Sequence, residues 1–84
     1  MKSLQDLGQA VVDKRRALGL KQKDVAAQAG IAPESLLRFE RGQAPEFGAR
    51  KLLAVLAVLG LEVNLVQSGM AGSLDELRRE RGGQ

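Results

Sequence analysis

Apolar residues recur along this chain in two rhythms, and the change of rhythm divides it. Leu4, Leu7, Val11 and Leu18 are spaced as one face of a helix. Gly19 interrupts the series, so a first helix is predicted over residues 4–18, opened by Ser3 with Asp6 three positions on. From Gln22 to Ala29 the positions Val25, Ala26 and Ala29 make a short second helix with a small-residue face, closed by Gly30 in the left-handed conformation that glycine tolerates. Pro33 suits the first turn of a third helix, which carries Leu36 and Phe39 inward and stops at Gly42. After a loop at residues 43–46 containing Pro45, residues 48–59 hold Leu52, Leu53, Leu56 and Leu59, the most apolar helix of the chain. Beyond Gly60 the rhythm shortens: "LEVNLV", residues 61–66, alternates as a half-buried strand does. Residues 68–73 read as a linker, and "SLDELRRERGGQ" offers a capping box at Ser73 and Glu76 for one more fragile helical segment. The expected fold is therefore all-α, with four to five helices and a single C-terminal β-strand. Residues 1–67 form one domain, and residues 68–84 a charged tail.

A chain of 84 residues is short of core, so burial against a second copy would stabilise it. It contains no cysteine and no histidine. That removes disulfides, thiol nucleophiles, imidazole bases and the usual zinc ligands, and neither a metal nor a cofactor is expected. An enzyme is accordingly the poorest reading, since Asp75 and Glu76 in the tail are no catalytic pair. With two phenylalanines as its only aromatics, the chain lacks the stacking platform that single-stranded nucleic acid requires. Duplex binding needs none. The net charge of +3 is unevenly spread: residues 1–51 hold ten Lys/Arg against six Asp/Glu, and the remainder is slightly acidic. A basic working half and a different tail follow, although an ordinary solvated surface would look the same by charge alone. The start has no apolar run, and the greasy stretch 52–66 is broken by Gly60, Glu62 and Asn64, too short for a bilayer. A cytoplasmic location is expected.

Two short helices on either side of a glycine-containing turn, residues 22–30 and 33–41, are the strongest signal. Ala26 and Ala29 permit close crossing while Val25, Ile31 and Leu36 fill the angle between them, as in a helix-turn-helix unit. The stretch "LGLKQKDVAAQAGIAPESLLRFERGQAP" resembles the XRE, or lambda-repressor-like, family: Gln at the start of helix two, Ala-x-x-x-Gly, and an apolar-x-x-Phe-Glu-x-Gly close. The likeness covers about residues 4–60. Continuing through "LLAVLAVLGLEVNLV", the chain is similar to HipB-type antitoxin regulators, in which a leucine-rich helix precedes such a strand.

That resemblance implies a recognition helix entering the major groove with Pro33, Glu34 and Arg38 toward base edges and Ser35 beside the backbone. Arg38 can grip a guanine with both forks of its guanidinium, and Glu34 can accept from a cytosine amino group, each worth about 1–3 kcal/mol of discrimination. Proline can only touch a thymine methyl. The family more often has polar donors at the first two positions, and Glu34 has a second use open to it as an acid near a helix N-terminus. Gln22, by resemblance, anchors helix two to a phosphate. Its neighbours Lys21 and Lys23 can neutralise the same backbone, as can Arg41 and Gln43 beyond the recognition helix. Solvated-surface roles for these four remain open. Family analogy pairs Arg15 with Glu40 as a structural ion pair between helices one and three, leaving Arg16 for DNA.

A lone strand leaves backbone groups unpaired, and no other segment alternates as residues 61–66 do, so its expected partner is the same strand of a second chain. Two-fold symmetry makes that pairing antiparallel. Leu61, Val63 and Leu65 would cover helix four, with Leu56 and Leu59 joining the dimer contact while Glu62 and Asn64 face water. A tail lying on its own helix four is the competing arrangement. Two recognition helices would then meet successive major grooves of a palindromic operator. The expected function is a dimeric repressor that autoregulates its operon as an antitoxin, with a kinase-type toxin as candidate partner and the tail available to fold onto it. A protein-interaction module that kept this fold without binding DNA is the alternative, favoured by Pro33 and Glu34 on the reading face.

Overall fold

Ser3 opens α1 (Leu4–Ala17) as the pattern predicts, its hydroxyl accepting the Asp6 N–H at 3.1 Å, which satisfies one of the first-turn donors. The computed structural model describes residues 3–67. Three further helices follow: α2 (Gln22–Ala29), α3 (Pro33–Glu40) and α4 (Ala49–Val58). Each helix stops at a glycine of positive φ, namely Gly19, Gly30, Gly42 and Gly60. The turn at Gly30 shows why the residue is needed. With φ 72°, its N–H reaches the Ala27 carbonyl and the next N–H, of Ile31, reaches Ala26 at 3.0 Å, closing the helix while the chain reverses. Only residues 30–32 then separate α2 from α3.

The core lies where α2 packs on both α3 and α4 while α1 packs on α3. Val25, Ala26, Leu36, Phe39, Val55 and Leu59 are essentially sealed, with Val11 from α1. Ala26 brings no side-chain bulk, so α2 can cross its neighbours closely. On the other side, α1 approaches α3 through Gly8, which is buried. A Cβ built there would collide with the Phe39 carbonyl oxygen and lie 3.2 Å from the carbonyl carbon.

The structure corrects several expectations. Leu18 extends the helical spacing but sits in the C-terminal turn of α1, 47% exposed; the reversal at Gly19 hands its place to Leu20, which packs against the core. Leu53 is likewise exposed on α4. Leu56 and Leu59, expected at a dimer contact, are spent within the protomer at 7% and 2% exposure. They occupy the inner face of α4 or its C-terminal turn, within the core where α4 packs on α2. No strand occurs among the described residues: 61–67 have no regular structure. A strand exists by pairing, and a single chain with one such segment supplies no partner. Burial there does not follow the sequence alternation either, for Leu61 is half-buried while Val63 and Leu65 are exposed alongside Glu62 and Asn64. The segment borders a groove with Leu7 and Ala10 of α1 and Leu56 of α4. Four helices are thus the described architecture, and the fifth segment and tail, residues 68–84, lie outside the described residues. No described helix is long and apolar enough to cross a membrane.

Candidate nucleic-acid interface

The 3.6-residue period of α3 sorts its side chains between core and solvent. Leu36, Phe39 and Glu40 face inward and are buried; Pro33, Glu34, Arg38 and Arg41 are exposed, with Ser35 and Leu37 half-buried. Pro33 occupies the first turn, where its missing N–H breaks no helical bond. The outward face is therefore a protruding ridge. The inner face is clamped.

The clamp is polar as well as apolar. Glu40 is the one buried charged residue among those described, 7% exposed. Its carboxylate accepts the Arg15 Nε–H at 2.8 Å and the Nη2–H at 3.0 Å, a two-pronged pair joining α1 to α3. The Arg15 Nη1 donates to the Leu20 carbonyl at 2.9 Å, and the Gln22 amide donates to Glu40 Oε1 at 2.7 Å. Charge and hydrogen-bonding capacity are matched inside a poorly solvated site. One carboxylate thereby holds three elements: α1 directly, α2 through Gln22, and α3 itself. Arg15 and Glu40 form the ion pair that family analogy expected.

For Gln22 the structure adds a partner. One N–H of its amide is engaged by Glu40, which leaves the second N–H as the donor it can offer a phosphate, while the amide oxygen can only accept. What α2 still presents is its first turn. Lys21 stands at the N-cap with no side-chain hydrogen bond to the helix, leaving early backbone N–H groups accessible to an anion. Lys21 and Lys23 are exposed on either side.

Arg16, Lys21, Lys23, Arg38 and Arg41 make no ion pair with a carboxylate among the described residues, where Arg15–Glu40 is the salt bridge found. Arg16, Arg41 and Gln22 line one cleft between α1 and α3, so Arg16 joins the same side of the molecule as the end of α3. Gln43 is exposed just beyond, with its N–H closing α3 onto the Arg38 carbonyl at 2.9 Å. The expected contact residues thus gather around the outward side of α2 and α3, with the half-buried Gln22 at the cleft that Arg16 and Arg41 line.

Phe47 escapes sequence reading. Its ring stacks on Phe39 with centroids 4.1 Å apart and planes at 8°, pinning the loop between α3 and α4 to α3. Nothing in periodicity marks a loop residue as an anchor, though one of two aromatics standing in a polar loop was a signal. Gly8 gave a clearer one, being a glycine inside a helix where alanine is favoured by about 1 kcal/mol.

Two helices crossing through small residues, a three-residue turn, and a second helix that leaves Glu34 and Arg38 exposed on its outward face define a helix-turn-helix protein, the class of DNA-binding regulators that place the second helix in the major groove. The chain belongs to a helix-turn-helix domain family, whose model matches residues 2–68. No curated protein matches it.

Proposed function

We propose that this protein is a sequence-specific, double-stranded DNA-binding repressor, acting in the cytoplasm as a homodimer on a palindromic operator. The observation that carries this reading is the two-sidedness of α3: Leu36, Phe39 and Glu40 lock one face while Arg38 stands exposed and without an ion pair on the other. Inserted into a major groove, Arg38 grips a guanine by its O6 and N7. Glu34 accepts from a cytosine amino group or simply complements the helix N-terminus. Ser35, Arg41, Gln43, Lys21, Lys23, Arg16 and the first-turn amides of α2 position the duplex through its backbone without reading sequence. No catalytic step is assigned to the chain.

Dimerisation is supported by the segment after α4. Leu65 and Val66 are 93% and 80% exposed, an unstable disposition for adjacent aliphatic side chains unless something covers them. Pairing residues 61–66 with their symmetry mate would cover Leu61, Val63 and Leu65 and set two α3 helices about one DNA turn apart. The finer role, an autoregulating antitoxin with a kinase-type toxin partner, rests on the resemblance of residues 52–66 to HipB-type regulators.

A gel shift with the DNA upstream of its gene, at two salt concentrations, tests the reading. DNA binding predicts a specific shift whose log affinity falls with log salt by about 0.9 per phosphate contacted. Absence of any specific shift would sink the repressor and favour a protein-interaction module.

A further inference from the structure

The junction of α3 and α4 carries cationic chemistry that neither the sequence pattern nor the contacts above account for. A cleft of about 290 Å³ opens beside the outward face of α3. Ser35 and Arg38 line it from α3, Pro45 and Glu46 from the loop, and Lys51 from α4. Arg38 and Lys51 thus contribute two positive charges to one concavity. Neither forms an ion pair among the described residues, even though Glu46 shares the cleft. Clefts lined with cations concentrate anions. The walls are held in register, because Phe47, also lining the cleft, is stacked on the buried Phe39 of α3.

We infer that this cleft seats a backbone phosphate of the duplex, flanking the base that Arg38 reads, with Lys51 as the principal cation and the Ser35 hydroxyl as a donor. The inference rests on the DNA-binding reading above and adds α4 to the interface. Lys51 acts as a positioning residue: a phosphate held between α3 and α4 fixes how deeply and at what angle α3 enters the groove. Glu46 opposes the same anion and so limits affinity. Exposed charges carry these roles without serving the core, for Lys51 and Glu46 are both exposed.

The test is fluorescence anisotropy of the full chain with a random-sequence duplex and with the upstream DNA, across a salt series. Lys51→Gln is expected to lower the magnitude of the log-log salt slope by about 0.9 on both duplexes, so that a fourfold rise in salt weakens the variant about 3.5-fold less than the wild type. Glu46→Gln is expected to tighten binding at low salt. Lys14→Gln, on the α1 helix and one turn beyond Ala10 and Val11, removes the same charge elsewhere and should keep the wild-type slope. An unchanged slope in Lys51→Gln, or an equal change in Lys14→Gln, overturns the inference while leaving the repressor reading intact. A wild-type protein that binds neither duplex overturns both. Titration of inorganic phosphate into the DNA-free protein separates the remaining source: saturable binding lost in Lys51→Gln, with an unaltered DNA slope, would assign the cleft to free phosphate and overturn the duplex contact.

Discussion

Replacing Glu40 by alanine removes one carboxylate and leaves a cation stranded. The Arg15 side chain is only 12% exposed and the Glu40 side chain 2%, so water cannot readily replace the lost partner. Three donated hydrogen bonds disappear, at 2.8, 3.0 and 2.7 Å, while the bond from Arg15 Nη1 to Leu20 survives. Breaking a buried pair by removing one member costs about 3–5 kcal/mol. A domain of this size has a total stability on the order of 4–13 kcal/mol, so Glu40→Ala should remove a large share of it and can leave the protein unfolded at room temperature. Arg15→Met combined with Glu40→Leu should behave differently, because no charge is then left buried; it should fall within about 1 kcal/mol of wild type or exceed it. Urea unfolding followed by far-UV circular dichroism measures both, provided the slopes agree so that midpoints can be compared. A loss below about 1 kcal/mol in Glu40→Ala would refute the argument. So would a double variant as damaged as the single ones summed, which would make shape rather than charge matching the source of stability.

Gly8→Ala should gain about 1 kcal/mol of helix propensity and lose more to its collision with the Phe39 carbonyl, a backbone group that cannot rotate aside, for a net loss of about 1–2 kcal/mol in the same urea assay; a neutral or stabilised variant would show that α1 and α3 can separate freely. Arg38→Ala should weaken binding to upstream DNA more than to random duplex, by about 1–3 kcal/mol, and equal losses on both would reduce it to a phosphate contact. Val63→Pro removes one N–H donor from the 61–66 segment and should convert dimer to monomer in sedimentation velocity. A persisting dimer would place the interface elsewhere.

Much of the architecture was legible because its signals are local. The bounds of α2 match their prediction, and Ser3, Gly30, Pro33 and Gly42 act at helix ends as their chemistry suggests. Such caps depend on neighbours within one turn. The division of α3 into a buried face and an exposed face was equally legible, since period alone separates Leu36 and Phe39 from Glu34 and Arg38. Leu18 shows where period misleads: it keeps the spacing at the C-cap of α1, yet is left exposed because the helix ends there.

Local chemistry in the sequence determined which residues become helical, where each helix stops, and which side of α3 faces outward. Partner choice was left to the tertiary structure. Leu56 and Leu59 look equally fit for a core or a dimer contact until α4 is laid against α2 and they join the core. The Gln22 amide gains Glu40 of another helix as a partner at 2.7 Å, and Lys51 shares a cleft with Arg38 across a loop that Phe47 holds onto Phe39. A residue's period and cap are set by the few residues around it, whereas burial and hydrogen-bond partners are set by surfaces that meet across the fold.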